Sequence, residues 1–376
     1  MSPTITRTLS LSGLRFGPPQ VWGGVRMVPL LRDRAITDLR LHVDDHIHAG
    51  PLVAKGRRDR PHTTYHAYTP MGAVLRFSKD GTAVTLPTGV LGKPGKRGGR
   101  QPPRRVIQRI DARTVHMLPM HLAISGFLLE HFGGPTVAWE QWSNSAIRWG
   151  LGVRGESFVL GDHLVGLREA LRVFELHPDQ CGVVLHVGGS LAAIRVMPHP
   201  ADYRRLHPRL VMEHFAPHLV WHAVYGTDGA LPRAELDDTG IHSLDDLSAA
   251  IRTHRAAWAE SARPAAIELV DREVSGPRVR KLGKYTLWRF VTGTDELVPQ
   301  HIGEAVHHAN GTLASLSTCG LSRNAVRRAH LLEQLAHHDW HPRSTAEGLG
   351  LSPLQLARRL TTLGMGQLVG PLDRWR

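Results

Sequence analysis

Apolar and polar positions change period several times along this chain. VWGGVRMVPLL (21–31), GAVLRFS (72–78) and TAVTLP (82–87) are apolar or β-branched runs interrupted by Gly and Pro, so residues 10–90 are expected to form short strands. RLHVDDHIH (40–48) alternates weakly, and LVAKGRRDRPHTT (52–64) reads as a loop or exposed hairpin. RVIQRIDARTVHMLPM (105–120) predicts one or two strands, and AISGFLLEHFGG (123–134) a short apolar helix stopping on glycines. HLVGLREALRVFELHP (163–178) places apolar residues at helical spacing up to Pro178.

Further along, QCGVVLHVGGSLAAIRVM (180–197) reads as strand, Gly-Gly turn and strand, hence a hairpin. ADYRRLHPRLVMEHFAPHLVWHAV (201–224) is helical, with Pro208 and Pro217 expected to kink or break it. Ser243, with Asp246 three positions on, marks a helix start leading into SAAIRTHRAAWAES (248–261). AAIELVDREV (265–274) and YTLWRFVTG (285–293) predict strands, and residues 296–319 a last β pair turning at Asn310-Gly311.

From residue 321 the pattern becomes three short helical units with tight breaks. The expected fold is therefore α+β: a large β-rich domain with interspersed helices over 1–320, then a small all-α trihelical domain over 321–376. In AEGLGLSPLQLARRLTTLGM (346–365), Ala346 is small, Gly350 suits a positive-φ turn and Ser352 suits a helix N-cap. Leu356, Leu360 and Leu363 supply the apolar face of the following helix, and Leu332, Leu335 and Leu349 complete a small core.

This segment resembles the Fis-type helix-turn-helix, whose form reads approximately AAELLGISRxTLYRKLKxLGL. It departs at Pro353, which is tolerated in a first helical turn, and at Ala357, where the family often has Tyr. By position, the resemblance implies that Leu354, Gln355, Arg358 and Arg359 face the major groove. Arg358 would read a guanine edge and Gln355 an adenine, with Ser352 at the helix start. Arg343 and Ser344 would hold phosphates. Fis-type units generally act as dimers, so a homodimer is expected. The competing reading of the same three helices is a small oligomerisation or packing unit.

Composition sharpens this picture in part. The 376 residues hold 46 Lys+Arg against 33 Asp+Glu, a formal charge of +13, which fits a polyanion partner such as DNA. Nearly all the cations are Arg, as GC-rich coding produces, so charge alone does not define the partner. No run approaches 18 uninterrupted apolar residues and the start lacks an apolar signal core, so a cytoplasmic protein with no membrane partner is expected. Cys181 and Cys319 are too few for a disulfide framework. The 25 histidines include several close pairs, but no H-E-x-x-H occurs, and scattered surface and core histidines are expected rather than a metal site.

The N-terminal region carries no P-loop, no dinucleotide fingerprint and no nucleophile elbow, so no cofactor is expected and no catalytic residue is assigned. Its most basic stretch, GKPGKRGGRQPPRR (92–105), is either a solvated loop or an anion-binding arm, because glycine admits phosphate oxygens to backbone N–H groups. Several stretches resemble the bacterial "ARG and rhodanese-phosphatase-superfamily-associated protein" domain. They are FGPPQVWGGVRMVPLL, residues 180–215, GEAVHHANGTLASLS (303–317), GGRQPPR (98–104) and EQW (140–142), together spanning about 10–320. The resemblance implies a link to ADP-ribose, NAD or RNA-end metabolism, or to bacterial conflict systems. Where that family tends to place an acidic residue before its Gly-Gly segment, this chain has GVLGKPGKR, which weakens any carry-over of catalysis.

A phosphorylated small ligand would accordingly be sought at Gly98, Gly99, Arg100, Gln101, Arg104, Glu140, Gln141 and Trp142, with Trp142 stacking on a base or, alternatively, sitting in the core. Together these readings point to a DNA-binding regulatory or accessory protein whose large domain senses a ligand or partner. The alternatives are an enzyme acting on a nucleotide or ADP-ribose-type phosphate, and a non-catalytic scaffold.

Overall fold

The computed structural model describes residues 4–41, 120–135, 176–211, 236–261 and 269–369 (271 excepted), with short strands between 63 and 117 and single positions elsewhere. The strands are β1 (Thr4–Thr8), β2 (Leu14–Phe16), β3 (Gln20–Trp22), β4 (Val25–Arg32), β5 (Leu39–Leu41), β6 (Thr63–Ala67), β7 (Ala73–Phe77), β8 (Thr82–Leu86) and β9 (Val90–Gly92). They continue with β10 (Arg105–Val106), β11 (His116–Met117), β12 (Gln180–Val187), β13 (Ser190–Val196), β14 (Glu273–Leu282), β15 (Tyr285–Val291), β16 (His301–His308) and β17 (Leu313–Gly320). The helices are α1 (Met120–His131), α2 (Pro200–Arg209), α3 (Leu244–Ser261), α4 (Arg323–His337), α5 (Pro342–Gly348) and α6 (Pro353–Thr362), followed by a 3-10 turn at Gly366–Leu368.

The described strands build a ten-stranded sheet in the order β1-β14-β15-β16-β17-β13-β12-β4-β2, with β3 also on β4, beside four- and three-stranded sheets. Pairing in the large sheet is antiparallel throughout, and short turns connect β3 to β4, β12 to β13, β14 to β15 and β16 to β17. The β12–β13 hairpin turns at Gly188 and Gly189, with φ of 57° and 79°. The β16–β17 hairpin turns at Asn310-Gly311, where Gly311 has φ 92° and the Asn310 side chain accepts from the Thr312 N–H at 3.0 Å. Mixed α+β architecture is thus present, with strands where the apolar and β-branched runs lie.

Both faces of the large sheet are covered. Val183, Leu185, Leu287 and Val306 pack with Tyr203, Leu206 and Leu210 of the α2 region in one apolar cluster. Val28, Leu30, Val184, Ile194, Trp288, Phe290 and Leu316 form a second with Leu9, Leu269 and Val274. A third joins α1 to α4, α5 and α6 through Phe127, Leu128, Leu332, Leu335, Ala346, Leu356 and Leu360, and reaches the sheet at Ile302 and Cys319.

One sequence expectation is met and one needs correction. Pro208 lies one residue before the end of α2, and the chain passes into a π-helical turn at Leu210 and Val211. Its ring and missing N–H act against the carbonyl four residues back, in keeping with an α-helix that ends here. Leu269 and Val270 were expected in a strand and instead form a turn before β14, their apolar character explained by burial in the second cluster. No helix among the described residues is long and apolar enough to cross a membrane.

Candidate nucleic-acid interface

Local sequence sets each break between the C-terminal helices. Ser322 caps α4, its hydroxyl accepting from the Ala325 N–H at 3.3 Å. Asp339 and Trp340 then turn the chain with φ of 51° and 59°, an unusual pair of left-handed non-glycine residues. The Trp340 N–H bonds the Leu335 carbonyl at 2.6 Å, and its indole N–H reaches the Phe132 carbonyl at 3.3 Å. His341 caps α5. Gly350, at φ 64°, closes α5, and the Leu351 N–H bonds the Ala346 carbonyl at 2.7 Å.

The next helix starts with a reciprocal cap. The Gln355 N–H donates to Ser352 Oγ at 3.2 Å, and the Ser352 N–H donates to Gln355 Oε1 at 2.8 Å. Pro353 occupies the first helical position, where its missing N–H costs nothing. Leu356 and Leu360 turn inward and are fully buried, as their i, i+4 spacing requires.

The opposite face of α6 is open. Leu354 is 61 % exposed, and Gln355, Arg358 and Arg359 are exposed with it. Neither arginine takes part in an ion pair with another described residue. The arginines of α4 are used differently: Arg327 pairs with Glu296 at 2.8 Å, while Arg328 donates to the Leu363 carbonyl and, at 3.3 Å, to Ser125 Oγ. Arg343 is exposed on α5, and Ser344 is half-buried with its hydroxyl on His341 Nδ1. Gln355 and Ser352 each commit a side-chain oxygen to the cap, and the Gln355 amide NH2 takes no part in it. The structure therefore brings Leu354, Gln355, Arg358 and Arg359 onto one short exposed helix.

A charged row lies where the sheet meets α1. Arg289, Glu304, Ser317 and Arg195 are direct cross-strand neighbours on β15, β16, β17 and β13, and all four are buried. Arg289 Nε donates to Glu304 Oε1 at 2.7 Å, and Nη1 donates to Glu130 Oε2 of α1, also at 2.7 Å. Arg195 donates to Ser317 Oγ. Burial works against the Arg289 charge, but Glu130 and Glu304 outweigh it and hold its pKa above the usual value. Burial, with Arg289 nearby, pushes His131 down to about 4. Nothing in the sequence pattern marked this row, since each member alternates with apolar residues in an ordinary strand.

The expected ligand residues are only partly in view. Gly98, Gly99, Arg100, Gln101, Arg104 and Glu140 lie outside the described residues. Gln141 is half-buried in a helical stretch. Trp142 is fully buried, packs beside Gly126 and donates its indole N–H to the Leu122 carbonyl at 2.8 Å. It therefore has no open face for stacking on a base, and its role is that of a core residue. Among the described residues no group of three or more His, Cys, Asp or Glu side chains could hold a metal ion.

An antiparallel sheet covered on both faces, ending in three helices docked on α1, defines a mixed α+β protein. The ARPP-2 family model matches residues 9–283, well over half the chain, and the chain belongs to that family. The match includes the N-terminal stretches that carried the resemblance, and it ends before residues 303–317 and before α4. Neither the curated proteins nor the solved structures include a match.

Proposed function

We propose that this chain is a DNA-binding regulatory or accessory protein. In this reading α4, α5 and α6 form a Fis-type helix-turn-helix, and α6 enters the major groove. The observation that carries it is the exposed α6 face, where Arg358 and Arg359 are free of ion pairs with described residues and Leu354 and Gln355 lie alongside. The positive-φ Gly350 and the Ser352–Gln355 cap support the same reading, because they fix the angle and start of the presented helix. The net charge of +13 adds a long-range attraction to a polyanion. The ARPP-2 portion would sense a phosphorylated small ligand or a partner, within a bacterial stress, conflict or ADP-ribose or RNA-end system.

The test is a salt titration of full-length protein binding to random duplex DNA, beside the double variant Arg358→Ala/Arg359→Ala. Phosphate contacts release counterions, so affinity should fall steeply with salt, and the variant should lower the log–log slope by about 2. Equal affinity of the two proteins at every salt concentration would refute the assignment. The full chain is used because a chain ending at residue 320 would uncover the α1 side chains Phe127 and Leu128.

A further inference from the structure

The exposed side of α6 carries one row of side chains. Leu354, Arg358 and Thr362 recur at intervals of four, so they stack along the helix as a single ridge, and all three are exposed. Leu354, at 61 % exposure, is the exception to the polarity of this face, where Gln355, Arg358 and Thr361 surround it. Holding that leucine in water has a cost that contact with an apolar group would recover. A lone apolar side chain ringed by polar ones is too small a patch to dock a protein.

The far end of the ridge is apolar for a different reason. Thr362 donates its hydroxyl proton to the Arg358 carbonyl at 2.9 Å, so its only donor is spent on the backbone and its methyl remains to be offered. Thr361 makes the same bond to the Ala357 carbonyl, but its methyl sits beside Gly366, off the ridge. The ridge thus runs from an isobutyl group through a guanidinium to a methyl. Its central member, Arg358, takes part in no ion pair with another described residue.

In the major groove only thymine shows an apolar group on its edge, the C5 methyl, beside the O4 acceptor. Guanine shows two acceptors, O6 and N7, which match a guanidinium. Gln355, its oxygen engaged in the cap, adds an NH2 donor that suits thymine O4. Successive members of the ridge are ~6 Å apart along the helix axis, or about two base-pair steps.

Given the reading that α6 enters the major groove, we propose that Leu354 and Thr362 are thymine-reading residues. Each covers a C5 methyl, and the two thymines flank the guanine met by Arg358 at about two base pairs on either side. The specificity of α6 then has an apolar part that salt does not screen, beside the phosphate contacts that salt weakens.

The experiment selects duplexes from a random pool on the full-length protein and compares them with copies carrying deoxyuridine for thymidine. That replacement deletes the C5 methyl and keeps pairing and charge. A buried methyl is worth about 0.8 kcal/mol, so each contacted thymine should be preferred about fourfold, at every salt concentration. Thr362→Ser keeps the hydroxyl and removes only the methyl, and it should abolish the preference at one thymine. Leu354→Ala should shrink it at the other. Both positions are exposed, so thermal stability should move little, and affinity for random deoxyuridine duplex should match that of the native chain. Equal affinity for the two kinds of duplex, a selection that enriches no thymine, or a preference untouched by both variants would each overturn the proposal. Steep salt-dependent duplex binding alongside any of these would leave the DNA reading standing, whereas duplex binding that is absent or indifferent to salt would refute both.

Discussion

Arg289 of β15 and Glu130 of α1 are joined by an ion pair of 2.7 Å that ties the large sheet to the helix on which α4 packs. The same guanidinium holds Glu304 on the neighbouring strand. Glu304 is 2 % exposed and Glu130 34 %, so the two carboxylates sit in different dielectric surroundings. Removing the buried partner should therefore cost more. Glu304→Ala is expected to destabilise the fold by about 3–5 kcal/mol, because it leaves a buried cation half-compensated. Glu130→Ala should cost about 1–2 kcal/mol, since water reaches its site. Urea denaturation of the two variants checks the order, and a larger loss for Glu130→Ala would contradict it.

Stability should fall on acidification above the range where carboxylates protonate. Burial pushes His131, His207, His218 and His307 down to about 4. In the unfolded chain a histidine protonates near 6.5. Between those values the unfolded state binds protons that the folded state refuses, so their contribution is complete above about pH 6.5 and is lost as pH falls toward 4. Each histidine adds a slope of up to about 1.4 kcal/mol per pH unit in that window. Urea midpoints at pH 7.5 and 5.0 measure the sum. Equal midpoints would show that these rings are solvated in the folded protein.

Glycine substitutions should separate steric need from backbone need. A Cβ on Gly126 would fall inside the Trp142 ring, in the middle of α1. Gly126→Ala should then cost several kcal/mol by displacing a core indole, on the order of 3. Gly350 has open space around its Cβ position but φ 64°, so Gly350→Ala should cost only about 1–2 kcal/mol. Asp339, at φ 51°, should respond in the opposite sense, with Asp339→Gly neutral or stabilising by up to about 1 kcal/mol. Thermal melts of the three variants test the ranking.

Local features of the fold were the legible ones. Gly188-Gly189 and Asn310-Gly311 announce their hairpins because the left-handed turn needs these residues, and Ser352 announces α6 because an N-cap is a two-residue hydrogen bond. Leu356 and Leu360 were readable as core from spacing alone. What stayed hidden depends on partners distant in sequence. Arg195, Arg289 and Glu304 look like solvent-facing strand residues until their strands align, and Glu130 meets Arg289 across about 160 positions of chain. Trp340 carries no sequence signal of its own, yet it turns the chain and anchors it to Phe132.

The cap at Ser352 links stability to the proposed DNA contact, and a substitution there distinguishes the two. Its hydroxyl accepts from the Gln355 N–H, and its own N–H is held by Gln355 Oε1. Ser352→Ala removes the first bond and should cost about 1 kcal/mol. It should leave the Gln355 side chain held through Oε1 on the backbone N–H of residue 352, and leave the charges of Arg358 and Arg359 in place. Non-specific DNA affinity would then change little, because it depends on charge. Any preference among sequences should survive Ser352→Ala and weaken in Gln355→Ala, because base readout depends on the Gln355 side chain. Gln355→Ala should leave the Ser352 hydroxyl bonded to the residue 355 N–H but remove the side-chain amide, both the oxygen that returns to the Ser352 N–H and the NH2, for a smaller stability cost of about 0.5 kcal/mol. Competition of random duplex against a selected site, measured for both variants, reads the effect. A uniform loss across all duplexes, matching the fall in thermal stability, would mean that the cap acts on DNA through folding alone.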